Sequence, residues 1–198
     1  MEYVLETNGL CKRYRGFTAL NGLNMHIPKG AIYGFVGRNG AGKTTLIRLI
    51  CGLQAPTDGS FSLYSVKYTD AGIQRCRRRM GAVVETPSTY LDMTAEENIR
   101  QQYLVLGVPS TDGIPELLGL VAVSALAGAP DFLVLDEPVN GLDPQGIIEM
   151  RELILRLNRE QGITVLISSH ILDELSRLAT HYGFIDGGRM VKEMSAEE

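Results

Sequence analysis

The sequence predicts an α/β fold: a mainly parallel sheet covered on both faces, entered through an antiparallel β segment at the amino terminus. Three patterns predict it. Short apolar runs joined by turn residues fill the first forty positions, a glycine-rich turn separates a strand from a helix, and beyond residue 130 strand and helix patterns alternate.

Residues 3–7, 19–27 and 31–36 read as strands, with Pro28-Lys29-Gly30 as a tight connection between the last two. Residues 44–51, TTLIRLIC, carry apolar side chains through a short helix that Gly52 can end. Residues 132–135 form a buried strand. Residues 145–160 form a helix with Ile147, Met150, Ile154 and Leu157 on one face, and 164–168 form another strand. Leu172, Leu175 and Leu178 recur at helical spacing, and a hairpin of 182–185 and 190–191 closes the chain around Asp186-Gly187-Gly188.

With 198 residues, 44% of them hydrophobic, the chain can bury a core and fits one domain, 1–198. Nineteen basic against 23 acidic residues, a net charge of −4, argue against nucleic acid or an anionic lipid surface as partner. No apolar run approaches the ~18 residues of a membrane span, and MEYVLETNG lacks a basic stretch followed by an apolar one, so a cytoplasmic location is expected. Cys11, Cys51 and Cys76 are odd in number and widely spaced, as free thiols are. The basic run 75–79 reads as a solvated helix end, and His26 and His181 as structural, the latter at a helix end.

Gly37-Arg38-Asn39-Gly40-Ala41-Gly42-Lys43-Thr44 satisfies G-x-x-x-x-G-K-[ST] in full. Its glycines let backbone N–H groups converge on phosphate oxygens, and the helix that follows adds its positive dipole end. Lys43 reaches the β and γ phosphates, and Thr44 ligates Mg²⁺. ATP and Mg²⁺ are the expected ligands, on a P-loop NTPase core. Strand 132–135 ends in Asp136-Glu137, two carboxylates at the edge where ligands of parallel sheets sit. Asp136 is placed to hold Mg²⁺, and Glu137 to orient the water that attacks the γ-phosphate. His170 follows the strand VLISS onto the same edge, where it can bond the γ-phosphate or simply open the next helix.

Taken together, GRNGAGKTT, FLVLDEP, NGLD and the SSH after a strand resemble the ATP-binding cassette family, in its order and over nearly the whole chain. The resemblance implies that Tyr14 stacks on adenine, that Thr45 joins the nucleotide contacts, and that Asp143 crosses to a partner cassette. Tyr14 can equally be a strand aromatic, and Asp143 before Pro144 a helix N-cap. Most cassettes carry glutamine after the strand that follows the phosphate-loop helix, where it meets Mg²⁺ and the attacking water; here Glu85 stands. That swap resembles the branch exporting peptide antibiotics such as bacitracin and lantibiotics. The family further implies a second ATP-binding subunit, a separate multi-span membrane permease, and a place on the inner face of the membrane.

One segment departs from the family. A cassette holds a helical subdomain here, opened by a serine-glycine signature (LSGGQ or SxGMxQR). This chain passes from Leu117-Leu118-Gly119-Leu120-Val121 straight to Ala122-Val123-Ser124, with no such signature. Residues 86–130 thus read as a shortened helical subdomain. Ser124 lacks the glycines that let backbone approach a phosphate. The alternative to a working ATPase is accordingly a cassette that binds ATP without hydrolysing it.

Overall fold

Strands β1 (Tyr3–Tyr14) and β2 (Phe17–Pro28) pair antiparallel into a long hairpin with Tyr14 opposite Phe17 at its tip. Both run beyond their apolar segments, because register shifts after Thr7 and Leu10 let pairing continue where the alternation breaks. The computed structural model describes residues 2–84, 93, 97 and 130–198. Strand β3 (Ile32–Val36) leads through the glycine-rich turn into helix α1 (Lys43–Ile50), which Cys51 and Gly52 close as expected.

Strands β4 (Asp58–Leu63) and β5 (Val66–Lys67) then return to the amino-terminal sheet, whose order is β2-β1-β4-β5. Helix α2 (Ile73–Arg77) and strand β6 (Met80–Val83) follow. After them come β7 (Phe132–Asp136), α3 (Pro144–Gln161), β8 (Thr164–Ser169), α4 (Leu172–Ser176), β9 (His181–Asp186) and β10 (Arg189–Ser195). Among the described residues the second sheet has order β10-β9-β3-β8-β7-β6, parallel except for the β9–β10 hairpin.

Two buried clusters lie on opposite faces of that sheet, and the strands divide between them with period two. Tyr33, Phe35, Phe132, Val134 and Leu166 join α1 and the antiparallel sheet in one. Ile32, Leu133, Leu135, Val165 and Ile167 join α3 and α4 in the other. Helix α1 packs one broad apolar face into the first of these clusters. Leu46, Ile47, Leu49 and Ile50 are all fully buried, each worth about 1.5–3 kcal/mol of transfer free energy. This packing fixes the helix, and with it the turn that precedes it.

The structure revises several details. On α3 the buried stripe is Met150, Leu153, Ile154 and Leu157, with Ile147 only half-buried near the helix start. Helix α4 is one turn and a half long, so Leu172 lies exposed while Leu175 and Leu178 are buried. His181 opens β9 instead of ending a helix, its Nδ1 3.0 Å from the Thr180 hydroxyl. The basic run is only partly a solvated end: Arg77 Nε donates to the Ile50 carbonyl at 3.0 Å, and the Arg79 guanidinium lies 3.8 Å from the Tyr64 ring and pairs with Asp131. All three cysteines are free thiols. Among the described residues no helix is long and apolar enough to cross a membrane. Nearly all of 86–130, including Ser124, lies outside the described residues, as does Glu85.

Candidate functional site

Strands β3, β8 and β7 are parallel neighbours, with Val36 opposite Ser169 and Asp136 opposite Ser168, so the segments leaving them emerge at one edge. Residues 37–42 leave β3 with their back against the fold. A Cβ on Gly37 would fall 2.6 Å from the Ile185 side chain and carbonyl oxygen, and one on Gly42, where φ is +110°, 2.5 Å from the Ala19 carbonyl oxygen. Only glycine lets the loop sit this close. Its front is open: Arg38, Asn39 and Gly40 are exposed, and nothing lies within 4 Å of a Cβ built on Gly40. Helix α1 starts from Gly42 with no side-chain cap and no acidic residue in its first turn. Its first N–H groups and positive dipole end therefore face the loop's open side, the arrangement that suits an anion.

Lys43, the first residue of α1, is only 4% exposed. Its ammonium donates to the carbonyls of Gly37 at 2.6 Å and Arg38 at 3.3 Å and lies 3.2 Å from Glu137 Oε1. The other Glu137 oxygen accepts from Asn140 Nδ2 at 2.5 Å and lies 3.2 Å from His170 Nδ1. Burial pushes the Glu137 carboxyl upward, but the Asn140 hydrogen bond and the charges of Lys43 and His170 outweigh it and hold the group below the ordinary glutamate range. It is a carboxylate in contact with the Lys43 ammonium. Asp136, 6% exposed, accepts a hydrogen bond from the Ser168 hydroxyl. Ser169 braces the histidine loop, its hydroxyl donating to Glu174 at 2.5 Å and accepting the Ile171 N–H at 2.9 Å, while its carbonyl accepts the Gly37 N–H at 3.2 Å.

The structure thus brings residues 37–45, Asp136, Glu137 and His170 to one edge. Thr44 and Thr45, half-buried, lie in the first turn of α1. Asp143 serves as the N-cap of α3, accepting the Gly146 N–H at 2.9 Å, with Pro144 behind it. Tyr14 is stacked on Phe17, ring centroids 5.3 Å apart and 19° between planes, and its hydroxyl donates to Gln54. The hairpin that carries this pair touches the phosphate loop where Ala19 meets Gly42. Asn140 and Ser168 belong to the site and were not singled out from sequence. The available signal was a polar residue in an apolar strand, VLISS, since a buried hydroxyl needs partners.

Among the described residues no group of three or more His, Cys, Asp or Glu side chains gathers to hold a metal alone. The oxygen donors on this edge, the Asp136 carboxylate and the Thr44 hydroxyl, fit a hard cation that would take its other ligands from phosphate oxygens.

The family model described as ABC transporter matches residues 20–124. The chain is 37% identical to the bacitracin transport ATP-binding protein BcrA of Enterococcus faecalis, covering all of this chain and 71% of that protein. It is 38% identical to BcrA of Bacillus licheniformis, covering 98% and 70%. It is 37% identical to the lantibiotic transport ATP-binding protein SrtF of Streptococcus pyogenes, covering 96% and 90%. Among solved structures, an ATP-binding cassette dimer in a post-hydrolysis state with ADP and Pi superposes with a TM-score of 0.83 at 20% identity, over 97% of this chain and 98% of that one. An ATP-binding subunit of an ABC transporter superposes at 0.81 and 26% identity, over 97% and 90%. The Enterococcus alignment spans 220 positions for 198 residues, so at least 22 of them have no residue of this chain opposite.

Proposed function

This chain belongs to the ATP-binding cassette family of ABC transporters, and from that premise we propose that it energises the export of a peptide antibiotic or drug. Relatives that carry bacitracin and lantibiotic transport in their names support the substrate class. In this reading residues 37–45 cradle the triphosphate, with Lys43 as its main side-chain counter-charge, and Tyr14 stacks on the base. Thr44, Asp136 and Glu85 hold Mg²⁺, which when bound neutralises charge on the phosphates. Glu137 orients the attacking water and His170 bonds the terminal phosphate. The partners are a second ATP-binding subunit, reached through Asp143, and a separate multi-span permease that keeps this chain at the inner face of the membrane. The domain is a single cassette, 1–198, with 86–130 as its shortened helical part.

One observation carries the proposal: Lys43 and Glu137 touch, so a phosphate held by Lys43 lies beside the carboxylate that would polarise water. Calorimetry with MgATP tests it. Lys43→Ala should weaken binding by about 30-fold or more, as expected when one partner of a charge pair is truncated. Equal affinity in parent and variant would refute the phosphate-loop role.

A second reading, binding without turnover, is favoured by the missing signature and by the aligned positions that have no counterpart here. On that reading the chain binds MgATP and hydrolyses it slowly or not at all, because neither subunit offers a signature to its partner's γ-phosphate. Inserting a family-like signature helix between Val121 and Ala122 should raise the rate, and Glu137→Gln in that protein should abolish it. Fast hydrolysis by the 198-residue chain, lost on Glu137→Gln, would eliminate this reading.

A further inference from the structure

We infer that Ser168 is a positioning residue of the ATPase site: one hydroxyl both orients the Asp136 carboxylate and anchors the backbone step that redirects the chain at Glu137. The inference rests on the proposed roles of those two carboxylates and adds to them a residue from the neighbouring strand.

Ser168 is completely buried in β8, directly opposite Asp136 of β7. A hydroxyl has one proton to give and lone pairs to receive. The proton goes to Asp136 Oδ1, and a lone pair accepts the Glu137 N–H at 3.0 Å. The Ser168 carbonyl shares that N–H at 3.2 Å. The donor belongs to a residue with φ of +47°, a left-handed conformation that residues other than glycine adopt only when their surroundings hold them there. Ser168 is that hold, applied from both its backbone and its side chain.

The strand itself argues that the hydroxyl has a task. Val165, Leu166 and Ile167, which precede it in β8, are all buried and apolar. A residue serving packing alone would follow them, since an unpartnered buried hydroxyl costs about 1–3 kcal/mol. Serine appears where β8 meets the carboxylate. A hydrogen bond from outside the coordination shell fixes a carboxylate's orientation, and its loss lowers metal affinity about 10–100-fold.

The experiment measures the Kd of the β,γ-methylene analogue of ATP twice, in EDTA and in excess Mg²⁺, on the full chain. The ratio reports how much the metal adds. In Ser168→Ala the EDTA value should stay at the parent level, while the Mg²⁺ gain falls by about 10-fold or more. Ser168→Thr should restore the gain. It keeps the hydroxyl, on a β-branched side chain that suits a strand position. If Ser168→Ala does not fold by circular dichroism, Ser168→Cys replaces it, similar in size but a poor hydrogen-bond partner. A full Mg²⁺ gain in the folded Ala or Cys variant overturns the inference, as does a loss that is equal with and without metal. Failure of a folded Ser168→Thr to restore the gain overturns it too. A Mg²⁺ gain that survives Asp136→Asn, or is lacking in the parent, instead overturns the metal-site reading beneath it, and is recognised because it does not depend on Ser168.

Discussion

Replacing Gly42 by alanine should cost far more than the same change two residues earlier. At Gly42 the backbone has φ of +110°, and an added Cβ would lie 2.5 Å from the Ala19 carbonyl oxygen and 2.8 Å from Leu20 Cδ2. The left-handed conformation costs an L-residue about 1–2 kcal/mol. Overpacking against a backbone atom that cannot rotate away adds about 1–3 kcal/mol. Gly42→Ala should therefore destabilise by about 2–5 kcal/mol. Gly40→Ala meets nothing within 4 Å at φ of +81° and should pay only the conformational cost, about 1–2 kcal/mol. For a domain of this size the corresponding falls in Tm are about 4–20 °C and about 2–8 °C. Differential scanning calorimetry of the two variants beside the parent gives both numbers. Equal Tm values for Gly42→Ala and Gly40→Ala would refute the claim that β2 forms the rigid back wall of the loop.

Glu193→Ala should destabilise by about 1–3 kcal/mol, because its carboxylate accepts the buried Tyr33 hydroxyl at 2.6 Å and the His26 N–H at 2.8 Å, and removing it strands the phenol. Urea denaturation checks this, and Tyr33→Phe should recover much of the loss; if it recovers none, the phenol is not the cause. The depressed Glu137 carboxyl stabilises the fold at neutral pH, and that contribution is lost as pH falls through the lowered value. Glu137→Gln should flatten this part of the acid limb of Tm against pH, and superimposable limbs in parent and variant would contradict it. Tyr14→Ala should weaken ATP binding by ~1–3 kcal/mol while leaving inorganic triphosphate binding unchanged; equal loss of both would assign the residue to the fold.

The parallel sheet and its ligand edge were legible because each signal was local. FLVLD, VLISS and the turn before α1 state their own structure in a handful of residues. β4 was not legible. DGSFSL holds only Phe61 and Leu63 as apolar residues, with glycine and serine between, and becomes a strand because β1 offers it a pairing edge. The exposure of Leu172 shows the converse: a leucine at helical spacing joins a buried stripe only if the helix lasts, and α4 ends at Ser176. The residues that gather at the candidate site could be read, but not what holds them. Asn140 and Ser168 reach Glu137 and Asp136 through a turn and across a strand pair, relations that exist only in three dimensions.

Adjacent residues of a strand point to opposite faces, so two consecutive carboxylates at the end of β7 should not serve one site. Val134, two positions before Asp136, faces α1, whereas Leu133 and Leu135, in step with Glu137, face α3. By alternation Glu137 would project away from Lys43. Instead it contacts Lys43, and the cause is its own backbone: at φ of +47° the chain leaves the strand one residue early and swings the side chain back over the edge. The strain this conformation stores, about 1–3 kcal/mol, is offset by the contacts it makes possible, with Lys43, Asn140 and His170 on the carboxylate and Ser168 on the N–H. Glycine at 137 would relax the backbone and lose the carboxylate. An extended residue there would keep the carboxylate and aim it into the α3 layer. Only a carboxylate held in the left-handed conformation puts two acids on one edge, one nearly buried beside Ser168 and one against Lys43, which is what the proposed division between metal binding and water activation requires.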